Sequence, residues 1–218
     1  MARVTFYIDG FNFFYGLRRA RRTNLSGWGR YYWIDMVRLC ESFLGDGQVL
    51  EKVVYFTASP LNPNKSSRQS AFLNANALLN GSRFEVVRGK YIDKQIVCPV
   101  CKGSIARPEE KKTDVNISVR MIADCIQDLT DVVVLVSADS DLIPPIEFIQ
   151  GYFPQKRVKV YFPPTNFSHD LDETIRRYRS KPVLMIKNES RFAAAIMDDV
   201  VSSGGKSFYI PPKWKGWQ

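Results

Sequence analysis

The sequence lacks a long apolar segment, a secretion signal and a dense set of cysteines, and each shortage excludes a class of protein. No run of about eighteen apolar residues occurs, so a conventional membrane-spanning helix is excluded. The N-terminus has no charged region followed by an apolar one, so we expect a cytoplasmic protein. Four cysteines in 218 residues are too few for a disulfide scaffold, and we expect them to be reduced.

Apolar bulk and an excess of positive charge are what the sequence does contain. Hydrophobic residues make up 45% of the chain and aromatic residues 13%, enough to bury the core of one globular domain. Lysine and arginine number 31 against 22 acidic residues, a formal net charge of +9. This balance favours an anionic partner such as nucleic acid, although a basic surface also serves solubility.

Apolar strand-like runs alternate with amphipathic helical patterns along most of the chain. The predicted strands are residues 4–8, 49–56, 84–87, 132–136 and 158–162. The predicted helices are residues 13–22, 34–44, 66–79, 114–127, 142–150 and 170–178. The alternation predicts an α/β protein whose parallel sheet is covered by helices on both faces.

Acidic residues follow two of these strands where the strands end. Asp9 ends the first run, and Asp139 follows the fourth, with Asp141 two residues further on. In open parallel sheets the ligand crevice lies beyond the carboxyl ends of the strands, where the strand order reverses. Asp114 begins the amphipathic helix after the third strand, and we expect it on the same side. We expect that helix to face the sheet with Val115, Val119, Ile122 and Ile126.

The gathering of Asp9, Asp114, Asp139 and Asp141 indicates a metal site. Carboxylates this close repel one another and raise one another's pKa, and a divalent cation resolves the conflict. Mg²⁺ and Mn²⁺ prefer oxygen ligands, and one or two such ions can activate water for phosphodiester hydrolysis. Helix capping is the alternative for Asp114 and Asp141. Asp9 has no evident capping role, and three segments deliver acids to one edge, so we favour the metal site.

Two residues beside Asp9 fit such a site. Gly10 suits a tight turn that requires positive φ or the close approach of a substrate. Asn12 would orient Asp9 through its side-chain amide, which places it among the candidate catalytic residues. The alternative for Asn12 is capping of a helix that begins at Phe13.

Three motifs together carry a family resemblance: YIDGFN at the start, EEKKTDVNISVRMIADC in the middle and VLVSADSDLIPPI later. They resemble the motifs of NYN-domain proteins of the PIN-like nuclease superfamily, close to bacterial LabA-like members, and the likeness covers nearly the whole chain. The resemblance implies a Rossmann-like three-layer α/β/α sandwich with a mainly parallel central sheet. It also implies metal-dependent ribonuclease activity, with a site inherited by Asp9, Asn12, Asp114, Asp139 and Asp141. Ala138 departs from the family pattern, where Gly or Asn is common, and we expect it to alter loop shape rather than metal binding.

We expect one NYN/PIN-like domain over residues 1–218, with an insertion at about 90–112 and a C-terminal extension at about 180–218. The insertion carries Cys98 and Cys101 in CPVCKG, which resembles one knuckle of a zinc ribbon. A structural Zn²⁺ needs four ligands, so a zinc shared between two chains, a redox pair and a reduced turn all stay open. Cys40 and Cys125 lie on apolar helix stripes and are predicted to be core residues.

Basic residues cluster near the predicted crevice and are candidates for binding the nucleic-acid backbone. They are Arg18, Arg19 and Arg22 after the first motif, Arg88 and Lys90 after the third strand, and Lys111 and Lys112 before Asp114. The alternative is an ordinary solvated surface. Tyr31, Tyr32 and Trp33 could stack on unpaired bases, but we favour core packing for them. The aromatic tail around Trp214 could dock on the domain or mediate a homodimer.

The functional hypothesis is a Mg²⁺- or Mn²⁺-dependent ribonuclease that hydrolyses RNA phosphodiester bonds through the aspartate cluster. A protein of the same fold that binds nucleic acid or acts as a scaffold without chemistry is the alternative. A phosphatase acting on small phosphoesters is a third. No membrane partner is expected.

Overall fold

The computed structural model describes residues 1–23, 26–97, 99–101 and 103–215. The strands, in chain order, are β1 (Ala2–Asp9), β2 (Gln48–Thr57), β3 (Phe84–Arg88), β4 (Lys90–Val97), β5 (Ser104–Lys111), β6 (Val132–Val136), β7 (Arg157–Phe162), β8 (Val183–Leu184), β9 (Val200–Ser203) and β10 (Lys206–Tyr209). The helices are α1 (Gly10–Arg22), α2 (Met36–Glu41), α3 (Pro63–Asn80), α4 (Thr113–Ile126), α5 (Ile143–Tyr152), α6 (His169–Arg177), α7 (Glu189–Ala194) and α8 (Pro212–Lys215). Short 3₁₀ segments connect several of them.

The centre of the protein is a six-stranded sheet in the order β3-β2-β1-β6-β7-β8, and every pairing in it is parallel. β1 and β6 are neighbours although more than a hundred residues separate them, and the strand order reverses between them. Such a reversal opens a crevice at the carboxyl ends of the two strands. The predicted parallel α/β architecture is confirmed, and Asp9 and Asp139 follow the two strands that border the crevice.

Two apolar clusters cover the two faces of the sheet and make the three layers. One combines α1, α2, α3 and α7 with side chains such as Phe6 and Val134. The other combines α4, α5 and α6 with side chains such as Tyr7 and Val133. All five residues of β6 are buried because alternate side chains point into opposite clusters. This explains why its sequence, VVVLV, is apolar throughout rather than alternating.

Two antiparallel hairpins lie outside the central sheet. β4 pairs with β5 between β3 and α4, and β9 pairs with β10 near the C-terminus. The first hairpin was not predicted, because its residues lack a clear apolar alternation. It delivers the chain to the start of α4 and so positions Asp114.

Helix α4 faces the sheet with a different side from the one predicted. Ile117, Met121 and Cys125 are buried, whereas Val115, Val119 and Ile126 are each more than 60% exposed; Ile122 is partly buried. The helix carries two apolar stripes, and the one with Ile117, Met121 and Cys125 packs on the sheet. On the same side, the Tyr7 hydroxyl on β1 donates a hydrogen bond of 2.8 Å to Asp124 Oδ2.

The aromatic segment before α2 packs in the core, as predicted. Tyr31, Tyr32 and Trp33 are each at most 5% exposed. Trp214 from the C-terminal segment stacks on Tyr32 with ring centroids 5.6 Å apart, so this part of the tail docks on the domain. Tyr209 stays exposed. Within the described part of the chain, no helix has the length and apolar character needed to cross a membrane.

Candidate metal centre

Asp9 stands at the end of β1 and caps the first helix. Its Oδ1 accepts hydrogen bonds of 3.0 Å from the backbone N–H groups of Phe11 and Asn12. Helix α1 therefore begins at Gly10, and the expectation that Asp9 has no capping role is wrong. The alternative role for Asn12, capping of a helix that begins at Phe13, is excluded because Asp9 is the cap. Capping and metal binding are compatible, because each carboxylate oxygen has more than one lone pair.

The second oxygen of Asp9 is held by two side chains. Asn12 Nδ2 donates to Asp9 Oδ2 at 2.7 Å, and the Ser137 hydroxyl donates to the same oxygen at 2.8 Å. Ser137 also accepts from the Asp139 backbone N–H at 3.1 Å, so one hydroxyl ties the ends of β1 and β6 together. Sequence reasoning did not select Ser137, although a buried serine directly after an apolar strand was a visible signal.

The charge on Asp9 is costly where it lies. The residue is 2% exposed. Burial raises the pKa of its carboxyl above the ordinary value, the hydrogen bonds from Asn12 and Ser137 lower it, and the nearby Asp139 carboxylate raises it further. All the donors to Asp9 described above are uncharged, so they orient the carboxylate without neutralising it.

Asp114, at the start of α4, completes a cluster with Asp9 and Asp139. One carboxylate oxygen from each of these three residues lies within 4.8 Å of the other two. Three oxygens at this spacing suit a hard divalent cation such as Mg²⁺ or Mn²⁺. Three segments distant in sequence therefore converge, as the sequence pattern predicts.

Asp141 does not belong to this close group. Its side chain is exposed in the 3₁₀ turn after β6. Its backbone N–H donates to Asp139 Oδ1 at 3.1 Å and so fixes the orientation of that carboxylate. What the structure shows for Asp141 is thus a backbone contact to the site.

A further asparagine supports the site from the loop after β7. Asn166 Nδ2 donates to the Asn12 backbone oxygen at 2.8 Å and to Asn12 Oδ1 at 3.2 Å. These bonds leave the Asn12 amide oriented with its nitrogen toward Asp9. No local pattern distinguished Asn166 in the sequence, because its role depends on a contact 154 residues away.

Gly10 is required by a close approach between α1 and β2. A Cβ at this position would lie 2.5 Å from Tyr55 Cε1 and 2.6 Å from the Phe56 backbone oxygen. Neither reason expected for Gly10 is the one that the structure shows: its φ is not positive, and the close neighbours are Tyr55 and Phe56 of the protein rather than a substrate.

A cavity of about 560 Å³ lies between α1, α3 and the end of β2. Gly10 and Phe11, which directly follow Asp9, form part of its wall. Tyr55 lines the cavity and also contacts the segment after Asp9, since its hydroxyl lies 3.4 Å from the Gly10 backbone oxygen. Burial raises the pKa of Tyr55, and the charge of Asp9 raises it further.

The structure separates the predicted nucleic-acid-binding residues into groups. Arg18 and Arg22 line the cavity, together with Arg21. Arg19 lies in a separate recess with Asn12. The others are exposed around the hairpin of β4 and β5 and the start of α4: Arg88, Lys90, Lys111 and Lys112. Arg88 donates a hydrogen bond of 2.8 Å to the Ser59 hydroxyl.

The cysteines fall into two kinds. Cys40 and Cys125 are buried free thiols, which confirms their interpretation as core residues. Cys101 is an exposed free thiol. Cys98 lies outside the described residues, so a Zn²⁺ at Cys98 and Cys101 stays a prediction.

Comparison with known sequences identifies the class of protein. The model of the NYN domain family matches residues 3–180, and the chain belongs to this family. The NYN domain is a PIN-like domain of the nuclease type, so membership implies a nucleic-acid substrate. The aspartate cluster, in which Asp9 is buried and Asp114 and Asp139 are partly buried, agrees with that class.

Two individual proteins resemble the chain over most of its length. The chain is 26% identical over 247 residues to 6-hydroxy-3-succinoylpyridine 3-monooxygenase HspA of Pseudomonas putida, covering 98% of this chain and 76% of that protein. The crystal structure of a protein of unknown function from Vibrio parahaemolyticus superposes with a TM-score of 0.53 at 22% identity. That superposition covers 84% of this chain and 93% of the other, and it supports the fold alone.

Proposed function

We propose that the protein is a Mg²⁺- or Mn²⁺-dependent ribonuclease that hydrolyses RNA phosphodiester bonds at the carboxyl edge of its sheet. The observation that carries the proposal is the convergence of oxygens from Asp9, Asp114 and Asp139 within 4.8 Å. Folding brings these acids together against their mutual repulsion, and burial keeps Asp9 from relieving it through solvent. A site built in this way favours a bound cation.

Asp9, Asp114 and Asp139 would hold the cation. When bound, the cation would supply Lewis-acid activation of water and neutralisation of phosphate charge. The protein's own groups then have positioning roles: Asn12 and Ser137 hold Asp9, and the Asp141 N–H holds Asp139. Asp141 also presents a carboxylate to solvent beside the cluster, and we retain it as a proposed outer member of the site.

The basic side chains near the site supply the affinity for RNA in this proposal. Arg18 and Arg22 line the cavity whose wall includes Gly10 and Phe11, the residues that directly follow Asp9. Lys111 and Lys112 lie just before Asp114 on the other side. Contacts of this kind bind phosphates without reading sequence, and their strength falls as salt concentration rises.

The test is cleavage of a 5′-labelled single-stranded RNA by purified protein with Mn²⁺, with and without chelator. We expect cleavage products that disappear when chelator is added. Asp139→Asn should lower the rate by at least about 100-fold, since a bound metal lowers the activation barrier by several kcal/mol. Asp46→Asn is the matched control, because Asp46 is an exposed aspartate before β2 at the opposite edge. Equal rates for Asp139→Asn and Asp46→Asn would overturn the proposal.

The same assay identifies the alternative without chemistry. Salt-dependent RNA binding with no products in Mg²⁺ or Mn²⁺ would favour a nucleic-acid-binding or scaffolding role. In that case Arg18→Gln would weaken binding while Asp139→Asn would leave it unchanged or strengthen it, because a negative charge beside the phosphates is removed.

A second candidate function is action on a small heteroaromatic acid. It is favoured by the likeness to the Pseudomonas putida protein, whose name assigns it a pyridine derivative, and by the aromatic and basic lining of the cavity. Its test is binding of a pyridine carboxylate by isothermal titration calorimetry. Heat of binding with such an acid, together with no effect of RNA, would favour this candidate over the nuclease.

A further inference from the structure

The cavity between α1, α3 and the end of β2 combines aromatic walls with positive charge. Its volume of about 560 Å³ falls in the range typical of small-ligand sites. Of the described residues that line it, none is acidic, whereas six are basic: Arg18, Arg21, Arg22, Lys65, Arg68 and Lys213. The chemistry that fits such a lining is an aromatic ring bearing an anionic group.

Aromatic side chains form the walls on both sides. On one side Tyr32 stacks on Trp214 at 5.6 Å and contacts Phe14 at 5.2 Å between ring centroids. On the other side Tyr55 contacts Phe72 edge-on at 5.9 Å. Phe14 is 36% exposed, so part of its ring is available to a ligand. An exposed ring such as that of Phe14 can stack on any nucleobase.

One polar group in the wall lacks a partner. Gln69 Nε2 donates to Thr57 Oγ1 at 2.8 Å and to the Ala58 oxygen at 3.2 Å, which fixes the orientation of the amide. Gln69 Oε1 is then buried with no hydrogen-bond partner among the described residues. That oxygen is closed off from solvent, so it is an unsatisfied acceptor within the wall rather than a contact point for a ligand.

The position of the cavity relates it to the acids. Gly10 and Phe11 line it and directly follow Asp9, and the Tyr55 hydroxyl that also lines it lies 3.4 Å from the Gly10 oxygen. The cavity therefore adjoins the two residues that directly follow Asp9 in the chain.

We infer that this cavity binds one unpaired nucleotide of the substrate, with its base between the aromatic walls and its phosphate near the arginines. The inference rests on the proposed function and narrows it, because a base in a duplex is stacked and paired and is not free to enter. The substrate class is thus RNA with a single-stranded segment next to the cleaved bond. A small aromatic acid shares the same ring-and-anion chemistry and is an outcome of the test.

Binding is measured without cleavage, by fluorescence anisotropy of a labelled eight-nucleotide RNA in the presence of chelator. Phe14→Ala should weaken single-strand binding about 5-fold or more, since stacking contributes about 1–3 kcal/mol per base. Binding of a duplex of the same length should change less than about 2-fold. Tyr152→Ala is the matched control, because Tyr152 is an exposed aromatic on α5, far from the cavity in sequence and on the other face of the sheet.

Arg68→Gln is the second variant, in case Phe14→Ala perturbs folding. It should weaken single-strand binding about 3-fold or more and lower the salt dependence, with Arg157→Gln at the amino end of β7 as its control. Removing the base from one nucleotide of the RNA should weaken wild-type binding and abolish the effect of Phe14→Ala.

The outcomes separate the inference from the function on which it rests. Equal losses for single-stranded and duplex RNA, or none for either variant, would overturn the inference even if the protein cleaves RNA. Specific losses with no cleavage in Mn²⁺ would support the nucleotide site and overturn the nuclease. Binding of a pyridine carboxylate in the cavity, blocked by Phe14→Ala, with no RNA binding, would overturn the nucleotide as ligand.

Discussion

The two edges of the central sheet differ in how the charge of a nearby aspartate is compensated. At the amino edge Asp131 accepts two hydrogen bonds from the Arg3 guanidinium, at 2.9 and 3.1 Å, and one from the Arg3 backbone N–H at 2.8 Å. Lys156, almost fully buried, pairs with Asp131 and with Asp128. These contacts, first of all the side-chain bond from Arg3, hold the pKa of Asp131 well below its ordinary value.

At the carboxyl edge Asp9 is held by uncharged donors and faces a second carboxylate. Burial raises its pKa, and Asp139 adds to the rise. The same residue type in the same sheet therefore has its charge stabilised at one edge and disfavoured at the other. Neutralised acids add stability, whereas acids gathered without a counter-charge disfavour their ionised forms. This contrast agrees with a stabilising role for the amino edge and with the cation site that we propose at the carboxyl edge.

The largest expected difference between the two edges is in the rate of catalysis. Asp131→Asn should leave the rate of RNA cleavage within about 2-fold of wild type, whereas Asp139→Asn should lower it by at least about 100-fold. Initial rates at saturating Mn²⁺ measure both. A comparable loss in the two variants would mean that the edges are not functionally distinct.

The next effect is stabilisation by the cation. Mn²⁺ at roughly a hundredfold excess over its dissociation constant should raise the free energy of unfolding by about 2.7 kcal/mol. The gain should grow as pH rises through the raised pKa of Asp9, because a ligand carboxylate must be ionised. Thermal unfolding from pH 4 to 8 follows it. Asp139→Asn should abolish the gain, and a Mn²⁺ shift that persists in that variant would place the cation elsewhere.

The smallest effect concerns the amino edge alone. Asp131→Asn should lower the free energy of unfolding by about 1 kcal/mol at pH 7, a modest value because the ion pair is partly solvated. Since the folded pKa of Asp131 is depressed, its contribution is present above the ordinary value of 3.8 and lost as pH falls below it. Urea unfolding at pH 7 and pH 3 tests this. A difference between variant and wild type that is larger at pH 3 would contradict the assignment.

Sequence reasoning found the acids but not the groups that hold them. Asp9 and Asp139 were recognisable because each follows a buried strand. Ser137 and Asn166 were not, because their function is a hydrogen bond to a residue more than a hundred positions away. The buried face of α4 was predicted wrongly for a related reason: the helix carries two apolar stripes, and which of them is buried depends on contacts with distant segments, among them that of Asp124 with Tyr7.

The sequence by itself determined the class of fold and the edge on which the acids meet. Buried parallel strands are apolar throughout, helices between them are amphipathic, and both patterns are local properties of the chain. Acids directly after such strands lie at one edge because parallel strands share a direction.

Only the tertiary structure decided which acids approach one another, in which direction the pKa of Asp9 is shifted and where the cavity lies. The cavity wall joins residues from Gly10 to Trp214, contributed by α1, α3, β2 and α8. Distances, burial and electrostatic coupling between such residues arise when distant segments pack. They depend on the whole folded chain and on no single stretch of it.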